Sequence, residues 1–176
     1  VKAVSPPTAR FLEASTLQLN DDASEVSWTF RRGEAPVHFR LAERQIGEGR
    51  GTAQRGADAS KAMLRVTDWE NRFDPKVNGV RIALESSEVS RAAVALPDGS
   101  GLLLGSSRSL RYVDGAGRQR WVSPISTEIR AIGISTNGKL AVTAMLDGTI
   151  RWWRVTDGAL LMSLFATTER KWIVWT

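Results

Sequence analysis

An Asp-Gly or Asn-Gly dipeptide recurs through the second half of this chain at a spacing that fixes where strands can start and stop. Pro97-Asp98-Gly99 follows the apolar run Ala92–Leu96, and Thr136-Asn137-Gly138 follows Ile132–Ile134. Asp98 and Asn137 stand 39 positions apart (137 − 98), and Leu110 and Ile150, which open the next alternating stretches, stand 40 apart (150 − 110). Glycine adopts positive φ without steric cost and Asn or Asp tolerates it, so each dipeptide turns a strand back on itself. The sharpest copy is Leu146–Gly158, where Asp147-Gly148 leads into Thr149–Arg154, the strand carries the Trp152-Trp153 pair, and Asp157-Gly158 closes it.

A period near 40 with several short strands per unit is the pattern of β-propeller blades. In that reading Asp98, Gly99, Asn137, Gly138, Asp147 and Gly148 are structural turn residues and Trp153 a packing residue. The same grammar is weaker upstream. Val26–Phe30 and Val37–Leu41 alternate on either side of an Arg31–Pro36 turn and read as a hairpin. Gly47–Ser60 is rich in glycine, alanine and polar residues and reads as a surface loop or insertion. Ala59–Val66 fits either a short helix behind Asp58 or a strand leading to Trp69, and Gly79–Leu84 reads as a strand after the turn at Pro75 and Asn78-Gly79. The expected organisation of residues 1–176 is one all-β region of about four blades. They run 9–46, 61–89, 90–126 and 127–166, with 47–60 as the loop and 170–176 the start of a further strand. Such a set closes as a four-bladed ring or forms an arc of a larger one. A beginning at Val1-Lys2-Ala3 and an end at Trp175-Thr176 in mid-strand favour an arc cut from a longer protein.

Asp147-Gly148-Thr149-Ile150-Arg151-Trp152-Trp153 resembles the WD-repeat family, in which an aspartate pins the turn before a strand ending in Trp-Asp. The likeness covers Ser90–Phe165. It implies a structural role for Asp147 and puts Trp153 at the tryptophan position. Arg154 stands where the family has aspartate, the opening Gly-His pair is missing before Ile129, and Ser107-Arg108-Ser109 replaces an Asp-Gly. A narrower likeness covers Val66–Asn71, Asn78-Gly79 and Lys171–Thr176. These segments are similar to bacterial WD-repeat proteins whose propeller precedes a caspase-like protease domain. That likeness implies the non-catalytic platform of a larger protein, because a chain without cysteine supplies no Cys–His pair.

Composition narrows the function classes. Zero cysteines exclude disulfides, thiolate zinc sites and cysteine nucleophiles. Seven tryptophans against one tyrosine suit the packed faces of stacked sheets. A net charge of +5 admits a nucleic-acid or anionic-lipid partner, yet the arginines are spread along the chain instead of forming a block. A solvated surface is therefore preferred, and nucleic acid is not the expected partner. No apolar run reaches membrane-spanning length and no export signal opens the chain, so a cytoplasmic protein without a membrane span is expected.

Candidate chemistry is sparse. His38, the one histidine, reads as a surface or edge residue of an alternating strand. Gly47, Gly49 and Gly51 resemble a phosphate loop at a glance, but no Gly-Lys-Ser/Thr and no clear helix follow them, so they read as loop composition. Asp21-Asp22 and the pair Glu85 and Glu88 read as solvated. Side chains alternate along a strand, so Trp152 and Trp153 point to opposite faces, as do Trp172 and Trp175. One of each pair serves the core. The other offers an aromatic anchor, which makes Trp152, Arg154, Trp172 and Trp175 the candidate interaction surface. No catalytic residue, metal or cofactor is expected. The expected role is a protein-interaction scaffold, with self-association through open strand edges at Lys171–Thr176 or near Ala9–Glu13. The alternatives are a nucleic-acid-binding module and a small hydrolase built on His38.

Overall fold

The computed structural model describes residues 13–53 and 64–176. Sixteen strands and no helix occur among these residues, arranged in four antiparallel sheets. The first sheet holds β1 (Glu13–Leu19), β2 (Glu25–Thr29), β3 (Val37–Arg40) and β4 (Gln45–Glu48) in chain order. The second is small: β5 (Val66–Thr67), β6 (Lys76–Val77) and β7 (Val80–Arg81). The third holds β8 (Ser90–Ala95), β9 (Gly101–Ser106), β10 (Ser109–Asp114) and β11 (Gln119–Pro124). The fourth has five strands: β12 (Ile129–Ile134), β13 (Leu140–Met145), β14 (Thr149–Arg154), β15 (Leu160–Ala166) and β16 (Trp172–Trp175). Every pairing is between strands consecutive in sequence, as short turns dictate.

The hairpin expected at Val26–Phe30 and Val37–Leu41 is β2–β3, with Val26 opposite Phe39 and Trp28 opposite Val37. The strand expected over Gly79–Leu84 is shorter, because Asn78 and Gly79 form the turn itself and only Val80 and Arg81 pair. β4 runs to Glu48, so the first two residues of the supposed 47–60 loop are strand; residues 54–60 lie outside the described residues. Of Ala59–Val66, only Leu64 to Val66 are described, and Val66 opens β5. Ala9 to Leu12 also lie outside the described residues.

The turns share one device. The side-chain oxygen of Asp98, Asn137, Asp147 or Asp157 accepts the backbone N–H two residues on, from Ser100, Lys139, Thr149 and Ala159, at 2.9, 2.9, 2.9 and 3.0 Å. Each is an Asx turn, with the following glycine at φ between 68° and 83°.

Apolar faces then stack the sheets. Val77, Ile82, Leu102, Leu104 and Val113 join the second sheet to the third. Leu103, Leu110, Ile134, Met145 and Trp153 join the third to the fourth. The fourth then meets the first through Val142, Ile150, Trp152 and Leu164 against Val26, Trp28 and Phe39. The spatial order is second, third, fourth, first, and the opening strands lie side by side, β8 against β12 and β12 against β1.

Candidate interaction surface

The Trp152-Trp153 pair is consumed by the fold. Trp152 is buried on the first-sheet side, where its indole N–H donates to the Ala23 carbonyl at 2.8 Å. Trp153 is buried on the third-sheet side and donates to Thr143 Oγ1 at 2.8 Å. The opposite-face expectation holds, but Trp152 is no surface anchor: the first sheet returns to cover it, which strand alternation alone does not reveal. Arg154 is exposed and bends to Asp157, Nη1 to Oδ2 at 2.8 Å, which braces the Asp157-Gly158 turn. That turn seats the third sheet. Trp121 Nε1 donates to the Val155 carbonyl and Ser123 Oγ to the Gly158 carbonyl, at 2.8 and 2.7 Å.

The other tryptophan pair is placed differently. Thr167 N–H donates to the Lys171 carbonyl across the β15–β16 turn, and the register continues as Ala166–Trp172, Phe165–Ile173, Leu164–Val174 and Ser163–Trp175. Residues opposite one another share a face. Trp172 and Val174 therefore look toward the first sheet, where Trp172 meets Phe39 edge to face at 5.3 Å. Ile173 and Trp175 look the other way. On that side the third sheet has one strand fewer, so β16 overhangs it. The outcome is a strip of exposed apolar side chains on that face, Leu160 at 47%, Ile173 at 57% and Trp175 at 43% of full exposure, while Trp172, at 38%, stands on the opposite face. Arg170 anchors the preceding turn to the first sheet through Glu48 at 2.6 Å.

His38 is not a surface residue. It is buried on the face of β3 that looks away from the fourth sheet, with Nδ1 3.2 Å from the Gly49 carbonyl. The chain crosses directly over it. A Cβ on Gly47 would fall 2.4 Å from the imidazole, and one on Gly51 would fall 1.7 Å from Glu25 Oε1. Gly47 and Gly51 are thus required by close approach, whereas Gly49 meets nothing and serves its turn at a φ of 79°. Glu25 takes the Thr52 N–H at 2.6 Å, the Thr52 hydroxyl at 2.9 Å and Arg40 Nε at 2.8 Å. Burial pushes the Glu25 carboxyl up, but these partners outweigh it and hold the group below the usual carboxylate range. Asp22 is exposed and caps its own turn through Ser24, and exposed Asp21 accepts the Thr136 hydroxyl at 2.9 Å.

Glu88 is the largest departure from the sequence reading. It is fully buried, with Oε1 accepting the Ser106 and Ser109 hydroxyls and Oε2 accepting from Arg111 and the Glu85 N–H. Arg111 also donates to the Ala83 carbonyl at 2.7 Å and to Gln119 Oε1 at 3.1 Å. Together the two side chains clasp the connection between the second and third sheets. Desolvation alone would raise the Glu88 carboxyl; the two serine hydroxyls, the Glu85 amide and the Arg111 charge bring it below its ordinary value.

No protein-family model matches this chain, and no curated protein matches it. Among the described residues, no group of histidine and acidic side chains is placed to hold a metal ion, and no helix is long and apolar enough to cross a membrane. Many arginines face carboxylates of the same chain, among them Arg31, Arg40, Arg91, Arg118, Arg151 and Arg170.

Proposed function

We propose that this chain is a WD-repeat-like propeller arc acting as a protein-interaction scaffold without chemistry of its own, within a larger protein. The observation that carries the reading is the strip Leu160, Ile173 and Trp175 on one face of adjacent strands, with Trp172 half-exposed on the other face, in a sheet that exposes no other large apolar side chain. Aromatic and branched side chains left half-exposed together are the composition of an interface centre. The adjacency of β1, β8 and β12 supports blades arranged around a shared axis. The internal carboxylate partners of the arginines weigh against a nucleic-acid surface, and the carbonyl partner of His38 against a catalytic base.

The test compares partner capture by the unaltered chain, Trp175→Glu and His38→Ala, each checked for folding, alongside hydrolysis of generic ester and peptide substrates. The expected result is capture that survives His38→Ala and is lost with Trp175→Glu. Hydrolysis abolished by His38→Ala, or capture indifferent to Trp175→Glu, would overturn the proposal.

A further inference from the structure

We propose that the face of the second sheet turned away from the third docks an acidic, extended segment of a partner protein. This rests on the interaction-scaffold reading above and adds a surface separate from the strip at Leu160, Ile173 and Trp175. Residues paired across strands share a face. Val66, Val77 and Val80 are matched across β5, β6 and β7 and form the apolar side that closes on the third sheet. Thr67, Lys76 and Arg81 are matched in the same way and occupy the opposite side. Arg65 joins them, because the Asn78 N–H donates to its carbonyl at 2.8 Å and carries the register one step beyond β5.

This side differs in kind from the faces that stack the sheets. The seams between sheets are apolar, whereas here a lysine stands directly opposite an arginine. Like charges so placed repel, and Asp68 relieves only one of them, through Lys76 Nζ at 2.9 Å. Arg65 and Arg81 are exposed and have no carboxylate partner among the described residues. A further blade stacked here on the pattern of the other seams would bury these cations against apolar side chains, with a large desolvation penalty. The stretch before β5 brings no counter-charge either, since 54–63 carries Arg55 and Lys61 against Asp58.

The spacing suits an extended acidic chain. Arg65 and Arg81 stand two strands and two residues apart, about 12 Å at ~4.8 Å per strand and ~3.3 Å per residue. Acidic residues at alternate positions of an extended chain face one way, and two of them four residues apart lie about 13 Å from each other. A nucleic acid is held instead by many phosphate contacts, and beyond these arginines it would meet Asp68, Glu70 and Asp74 in the β5–β6 loop.

The same loop offers an apolar anchor on a fixed mount. Phe73 is 58% exposed. Just before it, the Asn71 N–H donates to the Ser90 carbonyl at 3.0 Å and the Ser90 N–H donates to the Arg72 carbonyl at 2.9 Å. The Ser90 hydroxyl donates to the Trp69 carbonyl at 2.5 Å. A loop tied in this way to the third sheet has little left to order on binding, which lowers the cost of association.

The experiment titrates this chain with a synthetic peptide of alternating glutamate and serine carrying one central leucine, at low and high salt. Beside it stand the same peptide with glutamine for glutamate, and a single-stranded oligonucleotide of matched length. The expected result is binding of the glutamate peptide alone, weakening as salt rises. Arg65→Glu and Arg81→Glu, both at exposed positions, each weaken it by about tenfold or more, and Phe73→Ser weakens it as well. Lys139→Glu makes the same change of charge at an exposed lysine in the β12–β13 turn and leaves binding unchanged. The Arg65→Glu/Arg81→Glu double variant takes the peptide with lysine for glutamate instead. No binding of the glutamate peptide, an equal loss with Lys139→Glu, or tighter binding of the oligonucleotide would overturn the proposal. The partner-capture comparison turns on Trp175 and uses none of these positions, so either reading can fail alone.

Discussion

Arg111 Nη2 donates to Glu88 Oε2 at 2.5 Å, with the two side chains 3% and 0% exposed. Removing both ions from water is costly, and the cost is met only because every remaining donor and acceptor of the pair is occupied. Truncating one partner leaves an uncompensated buried charge. Arg111→Met is expected to lower stability by about 3–5 kcal/mol, read from chemical denaturation. A loss under about 1 kcal/mol would show that the clasp is not formed in solution.

Acid stability carries the signature of the same group. The Glu88 carboxyl lies below its ordinary value in the folded chain, and Glu25 does too. The folded state therefore holds fewer protons than the unfolded one as pH falls past the ordinary value of 4.5. The stability these groups contribute is complete above that pH and is lost as pH drops through their lowered folded values. Denaturation midpoints from pH 7 to pH 3 are expected to fall most steeply below 4.5, and Glu88→Gln is expected to flatten the slope.

Gly49 and Gly51 form a matched pair for testing the strap over His38. Both have positive φ, 79° and 58°, so alanine strains the backbone at either by about 1–2 kcal/mol. Only at Gly51 does the new Cβ meet a side chain, Glu25 Oε1, whereas Gly49 has nothing within 4 Å. Gly51→Ala is expected to cost clearly more than Gly49→Ala in thermal denaturation, and equal costs would mean that the strap is not seated on Glu25.

The Trp153–Thr143 hydrogen bond joins β14 to β13 inside the core between the third and fourth sheets. A double-mutant cycle of Trp153→Phe and Thr143→Val is expected to show a coupling of about 1 kcal/mol. A coupling near zero would mean that the indole is held by packing alone.

Strand alternation and the Asx turns were open to reading because both are local. Asp147 declares its turn within three residues, and Trp152 and Trp153 declare opposite faces by position alone. What covers each face is a long-range matter. Trp152 meets Ala23 across 129 residues, and nothing near either announces the contact. Glu88 could have been found from the period. Glu88 and Glu128 stand 40 apart (128 − 88), as do Arg111 and Arg151 (151 − 111). Arg151 is satisfied by Asp147 in its own turn. The matching turn before Arg111 is Ser107-Arg108, without a carboxylate, so Arg111 takes Glu88. Glu128, freed of that duty, pairs with Arg91 at 2.9 Å instead. His38 was misplaced because its cover comes from glycines, whose lack of side chains reads as openness.

The return of the first sheet onto the fourth also sets a waiting time. Val26, Trp28 and Phe39 meet their covering residues only when Val142 to Leu164 have been made. The Ala23–Trp152 bond spans 129 residues, which a ribosome adding about 5–20 residues per second needs roughly 6–26 s to cross. During that interval an unprotected tryptophan-bearing hairpin sits in the growing chain. Synthesis stalled or truncated before residue 142 would release the early sheet with this apolar face uncovered, the kind of transiently exposed surface for which chaperones exist.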